Sequence, residues 1–418
     1  MSLQFLGAIP ALESVPVIVD GWEAAELEPP HVMLLAFCFA KFTWRNQIMT
    51  RYRVLLHLRP ALRCITMLVL CVVQCTFALG DPCKPKITSF DAPGAGTGPG
   101  QGTFILSMND AGATTGYYID SSNVLHGFVR SSGGEITTFD APNAGAGAGQ
   151  GTLPQNINSS GEIGGTAFSS SGLYDGFVRH RDGSFTVVDV RGQLETSVES
   201  VMLPGWAMGL YADQGGVFHV FLYAPDGAFT YPIDAPGAGT QPGEGTVAYQ
   251  INSSGTIVGF YVDAANAYHG FVRSWSGTLD EFTVPGSGTG SAQGTTAYGI
   301  NASGTVASYY TDNNNVAHGY LRTSNGDITT FDPPGSTGTY VSAINREGAI
   351  PGYYLDASAV AHGSLRARNG QFTYINVSGA GTNSGQGTAA IVNNVRNQLA
   401  GYYLDSSNVS HGFVAEFP

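Results

Sequence analysis

The sequence predicts an all-β fold, a seven-bladed β-propeller of four-stranded antiparallel blades, and three observations predict it. A phrase that reads His-Gly-Phe-Val-Arg in its fullest form starts at His126, Asp175, His219, His269, His318, His362 and His411, at spacings of 44 to 50 residues. Within each spacing the chain divides at its glycines into four short runs rich in β-branched and aromatic residues. No window carries a sustained 3.6-residue apolar period, so helices are not expected. A repeat of this length is one supersecondary unit that buries its apolar faces against its own copies.

The amino-terminal part is unlike the rest. Of the 57 glycines in the 418 residues, only Gly7, Gly21 and Gly80 precede residue 81, and four of the five cysteines lie there. Residues 49–80 read as a secretory signal peptide: Arg51, Arg53, Arg59 and Arg63, then the uncharged run CITMLVLCVVQCTFALG with Ala78 and Gly80 at its end. Translation is then expected to start at Met49, with 1–48 an over-extended amino terminus that forms no structure. An uncleaved anchor is the alternative, since the apolar run is short for a span of about 20 residues. Cleavage near residue 80 would leave a secreted, periplasmic or cell-surface domain, 81–418, with Cys83 as its one cysteine and no intrachain disulfide.

In the fourth copy, FTYPIDAP is followed by the loop GAGTQPGEG, then TVAYQIN, the turn SSG, TIVGFYVD, the loop AANAY and HGFVR. Asn109, Asn158, Asn252, Asn301 and Asn345 each stand three residues before a glycine, a turn in which Asn bonds forward onto the backbone and Gly takes the positive φ. The series opens with ITSFDAP at 87–93, a fourth strand with no first three, and closes with HGFVAEFP at 411–418, a third strand with no fourth. Pairing these ends completes the last blade and closes the ring. A parallel β-solenoid is the structural competitor, but its rungs are shorter and need no complementary ends.

The H-G-F phrase, the I-N-x-x-G turn and the G-Y-Y-x-D strand resemble the extracellular HAF-type repeats of bacteria over 87–418, with Gly127 and its equivalents where that family has Ala. The resemblance implies a secreted repeat protein and no particular activity.

Six copies place an Asp six residues before the His: Asp120 and His126, Asp213 and His219, Asp263 and His269, Asp312 and His318, Asp356 and His362, Asp405 and His411. The second copy loses both, with Ser169 and Asp175 in their places, which predicts that the two side chains touch. The expected role is a clasp across a hairpin loop, with a ligand contact in each blade as the sharper reading. Strand order puts Asp91, Asp140, Asp189, Asp234 and Asp332 of the FDAP phrase on the same, acidic face. Arg130, Arg179, Arg273, Arg322 and Arg366 go to the opposite face, which is expected to be more basic. Of the Tyr pairs such as Tyr117–Tyr118, one member is expected to pack between blades and the other to be exposed.

The third copy departs from the rest at 191–206, bringing Arg191, Glu195, Glu199 and Trp206. Convergence of Arg191, Glu195, Glu199 and Asp213 on the channel mouth would favour a polysaccharide-active enzyme. Otherwise the expectation is a monomeric, non-catalytic binding or scaffold propeller whose loop face takes an extracellular glycan or protein, or a purely structural surface protein. No nucleophile motif, phosphate loop, metal-ligand cluster or cofactor fingerprint is present, and no cofactor is expected, with calcium on the loop carboxylates as the alternative. A net charge of −13 argues against nucleic acid.

Overall fold

The computed structural model describes residues 84–202 and 204–418, so the expectations for 1–48 and 49–80 and for Cys83 lie outside the described residues. Among the described residues every regular element is a β-strand, and the strands form antiparallel groups of four. In the first repeat the strands are Gly102–Met108, Thr114–Ile119, Leu125–Arg130 and Ile136–Phe139, paired in that order. The second and fourth repeats follow the same plan, as does the third with Glu195–Met202 innermost. In the last repeat the group Gly387–Asn393, Gln398–Leu404 and Ser410–Glu416 gains Lys86–Phe90 as its fourth strand, with Phe90 opposite Gly412.

Six of the seven junctions between successive groups are stitched by one parallel contact. The first residue of a third strand pairs with the first residue of the next inner strand, as in Leu125 with Gly151, Phe218 with Gly245 and Tyr268 with Gly294. Ser410 with Gly102 joins the last repeat to the first. Glycine is required at Gly245: its φ is +114°, and a Cβ there would stand 2.2 Å from the Phe218 carbonyl oxygen.

The core lies between neighbouring sheets. Met208, Val220, Leu222 and Ile233 of the third repeat pack on Ala248, Ile251, Ile257 and Phe271 of the fourth. The Phe of the H-G-F phrase is the anchor: Phe128, Phe177, Phe221, Phe271 and Phe413 are all but completely buried. Its Gly is explained by the neighbouring fourth strand, since a Cβ on Gly127 or Gly270 would stand 2.6 Å from the ring of Phe139 or Phe282.

Asparagine closes the inner hairpins and links them. The Asn252 Oδ1 accepts the backbone N–H groups of Ser254 and Thr256, at 3.0 Å each. Its Nδ2 donates to the carbonyl of Asn301 in the next repeat at 3.0 Å. The same link runs from Asn301 to Asn345, Asn345 to Asn394, Asn394 to Asn109 and Asn109 to Asn158. It stops at Asn158, whose Nδ2 turns to Glu162 of its own hairpin.

The arginines depart from expectation. Rather than forming a free basic face, Arg130, Arg179, Arg322 and Arg366 lay their guanidinium groups 4.5–4.8 Å from the ring centroids of Phe90, Phe139, Phe282 and Phe331 in the preceding repeat, and Arg322 also pairs with Asp280. Asn252→Ala should destabilise the fold by ~2–3 kcal/mol in urea unfolding, because it strips two turn bonds and one inter-repeat bond from a buried site. Asn369→Ala, in an exposed turn with bonds only to Gln371, should stay within about 0.5 kcal/mol.

Candidate functional site

Two places bring polar side chains together, and they are built from different parts of each group. On the loop face the Asp and His of each pair meet across the hairpin between second and third strands. The separation from His Nε2 to the Asp Oδ2 is 3.0 Å for His269 and Asp263 and 3.1 Å for His362 and Asp356. It is 3.5–3.8 Å for His126 with Asp120, His219 with Asp213, His411 with Asp405 and His318 with Asp312. The other carboxylate oxygen closes the loop: Asp356 Oδ1 accepts the N–H groups of Ser358 and Val360 at 2.8 and 3.0 Å.

Each imidazole has a second polar partner. His126, His219, His318 and His411 place Nδ1 2.8–2.9 Å from Asp140, Asp234, Asp332 and Asp91 of the FDAP phrase. In the fourth and sixth repeats this partner is Thr283 or Asn376. The link was readable from register: Gly127 opposes Phe139, which puts His126 across from Asp140. The second repeat has carboxylates in both slots. There burial and then the charge of Asp175 raise the Asp189 pKa, partly offset by Arg191, and Asn143 donates to Asp175 at 3.3 Å.

The Tyr pairs divide differently from expectation. Tyr118, Tyr211, Tyr261, Tyr310, Tyr354 and Tyr403 stack on the six histidines with centroids 4.9–5.1 Å apart, and Tyr118 is buried rather than exposed. Their neighbours Tyr117 and Tyr402 point to the centre, where burial raises their pKa, Tyr402 to about 12.

All six loop-closing carboxylates are held below their ordinary pKa. In Asp213 and Asp312 the N–H of Val217 or Val316 is the largest cause, and in Asp356 it is the His362 hydrogen bond. In Asp120, Asp263 and Asp405 partial burial pushes upward but is outweighed by two backbone N–H groups and the histidine.

The second place is a central cavity of about 180 Å³. Its lining comes from a β-bulge in the inner strands. The register slips by one residue at Leu106, Gln155, Glu199, Tyr249 and Ile391, and each of these turns into the cavity. Tyr298 and Ser342 occupy the same place in the fifth and sixth repeats, where the inner strand breaks between Thr295 and Gly299 or ends at Val341. Opposite the bulge stands the Gly of G-Y-Y-x-D, because a Cβ on Gly259 or Gly401 would lie 2.0 Å from the Val247 or Ala389 carbonyl oxygen. The fifth repeat carries Ser308 there, and its inner strand is the interrupted one.

The third-repeat residues do not converge. Glu195 opposes Ala212 at the loop end of its strand, and exposed Arg191 precedes it. Trp206 opposes Met202 at the other end and packs edge-to-face on Trp275, centroids 5.1 Å apart. Glu199 alone reaches the cavity, nearer the Asn turns than the Gly-rich loops; it is 8% exposed, and Ser197 Oγ donates to it at 2.7 Å. Burial pushes its carboxyl up to about 7, against the pull of the Ser197 and Gln155 hydrogen bonds. Among the described residues no group of three His, Cys, Asp or Glu side chains is placed to hold a metal ion.

No family model matches the chain, and no curated protein matches it. Solved structures similar to it are β-propellers among others. The BP39L lectin of Burkholderia pseudomallei is 15% identical over 62% of this chain and 79% of its own, with a TM-score of 0.44. The fucose-recognising Aleuria aurantia lectin, described as a six-bladed β-propeller, is 11% identical over 70% and 95%, with a TM-score of 0.39. TolB from Acinetobacter baumannii is 8% identical over 81% of each chain, with a TM-score of 0.36. At these identities and scores none of the likenesses bears on what this chain binds.

The depressed carboxylates make the stability of the fold acid-sensitive. A group whose folded pKa lies below its unfolded value stabilises fully above the ordinary carboxylate range of about 4 and loses that contribution as pH falls through the folded value. The raised carboxyl of buried Glu199 acts with the opposite sign, so the melting temperature from scanning calorimetry should rise from about pH 7 to 5 as Glu199 protonates and fall below about pH 4 as the loop carboxylates do. In the triple variant Asp263→Asn, Asp356→Asn, Asp405→Asn that acid-induced fall should shrink by about half.

Proposed function

We propose that the protein is a secreted, monomeric, non-catalytic binding propeller of HAF-type repeats, with seven blades closed by Lys86–Phe90, which recognises an extracellular glycan through its loop face. The ring reading is supported by the pairing of Lys86–Phe90 with Ser410–Glu416, by the contact of Ser410 with Gly102 and by the Asn394 to Asn109 bond. Secretion by cleavage near residue 80 is part of the proposal and rests on the sequence at 49–80.

One observation carries binding over catalysis. The polar groups of the loop face recur at equivalent places in repeat after repeat, while the residues unique to the third repeat are spread over both ends and the centre of their sheet. A catalytic site needs a unique constellation with a group free to move a proton. The loop-face histidines instead have a polar partner on each side. What they leave outward is a row of carboxylates, with Asp91 and Asp140 more than half exposed at 53% and 56%, beside stacked His and Tyr rings. Carboxylates beside aromatic rings are the chemistry that takes sugar hydroxyls and ring faces.

A glycan array probed with the purified protein should give saturable binding. Asp91→Ala with Asp140→Ala should weaken it at least about tenfold while the circular dichroism stays native, since exposed carboxylates cost little in stability. A blank array with the folded protein would leave a structural surface protein as the better reading.

A further inference from the structure

The bulge ring is where otherwise repetitive copies disagree. The glycines and threonines that frame it recur, yet the side chains turned inward are Leu106, Gln155, Glu199, Tyr249, Tyr298, Ser342 and Ile391. A frame that holds position while its inward residues diverge is built for an asymmetric content.

Most of the polar lining is already committed to the frame. The Asn156 Oδ1 accepts the Val201 N–H at 3.3 Å, and the Gln250 Oε1 accepts that of Ile300 at 2.6 Å. Ser107 accepts from Ile157, Ser342 donates to the Ile391 carbonyl, and Gln155 bonds to Glu199. A sugar, which needs several free directional partners, would find few here. What remains is one carboxylate and a wall of aromatic rings. Glu199 is the one formally charged residue among those that line the cavity, and no cation stands among the influences on its carboxyl. A buried carboxylate without a counter-charge is costly, and electron-rich ring faces attract cations.

We propose that this cavity binds a small organic ammonium ion, with Glu199 as its counter-charge and the rings of Phe104, Tyr117, Tyr249, Tyr298 and Tyr402 as its cage. The volume of about 180 Å³ suits a compact ligand, since a cavity of about 150 Å³ takes benzene. The net charge of −13 concentrates cations around the molecule. A metal ion fits poorly, because one carboxylate supplies too few ligands. The proposal stands apart from the loop-face reading, because the Glu199 ring and the Asp–His loops are separate sets of residues.

Titration gives the site a signature. The groups facing Glu199 across the cavity are the phenols of Tyr249, Tyr298, Tyr117 and Tyr402, all raised by burial and neutral below pH 9, and the facing inner strand Gly151–Ile157 holds no titratable side chain. Glu199, with its carboxyl at about 7, is then the lining group that changes charge between pH 6 and 8.

The test is isothermal titration of the full chain with choline and with 3,3-dimethyl-1-butanol, its neutral isostere, at pH 6 and pH 8. The expected result is saturable choline binding that tightens about tenfold from pH 6 to 8, with the isostere at least about tenfold weaker at pH 8. Glu199→Gln, checked for folding by circular dichroism, should remove both the preference for choline and the pH dependence. Equal binding of the isostere would overturn the cation assignment in favour of a neutral ligand. No binding of choline at either pH, or choline binding unchanged in Glu199→Gln, would overturn the site itself; the wild-type comparisons decide even where that variant does not fold.

Discussion

The hydrogen bond that the side-chain amide of one asparagine turn donates to the carbonyl of the next is the interaction on which the rest of the structure depends. Apolar contact between neighbouring sheets supplies most of the driving force, but such contact is non-directional and would tolerate sliding. A buried amide that must find its acceptor tolerates none, because an unmade hydrogen bond there costs the full desolvation of both groups. Asn252 to Asn301, Asn301 to Asn345, Asn345 to Asn394 and Asn394 to Asn109 therefore set the spacing of the inner strands at one end. The parallel contacts at Gly102, Gly245 and their equivalents set it at the other.

Between these two fixed ends the inner strand carries one residue too many, and the bulge is how it is accommodated. The extra residue leaves the ladder and turns to the centre, while the partner strand gives up its Cβ at Gly116, Gly209, Gly259 or Gly401 to let the bulged backbone approach. In the fifth repeat, where the partner is Ser308, the inner strand is broken around Tyr298, and in the sixth, where it is Gly352, the inner strand ends at Val341. The chain of asparagine links stops at Asn158 of the second repeat and passes over the third, and Glu199, the one charged residue lining the cavity, belongs to that third repeat.

Much of this was legible in the sequence, and the boundary has physical causes. Strand order and the closing pair of ends follow from period and alternation, and Lys86–Phe90 does pair with Ser410–Glu416. The contact of Asp with His could be read because the second repeat loses both residues together. The second partner of each histidine, such as Asp140 for His126, was open to anyone who applied the register of third and fourth strands. The bulge was not open in that way. A single inserted residue inverts the inward and outward alternation beyond it, so Glu199 and Tyr249 cannot be assigned a direction by counting from the strand's start. The ring contact of Arg130 was hidden for a related reason: strand order gives the end at which a side chain emerges, but not the ring of Phe90 in the neighbouring repeat onto which it folds back.

The two polar regions also differ in how their charges are tolerated, and that difference separates structure from recognition. On the loop face the six loop-closing carboxylates are partly solvated and bonded, and burial is outweighed by backbone N–H groups and imidazole, so the charge is favoured and the geometry is fixed. Such a group does its work with the protein alone. In the cavity the balance is reversed: burial outweighs the bonds to Glu199, and the charged form is disfavoured until something else supplies the missing attraction. A carboxylate of the first kind is finished when the chain folds. One of the second kind is retained at a cost to the folded protein, and a ligand carrying the opposite charge is what would offset that cost.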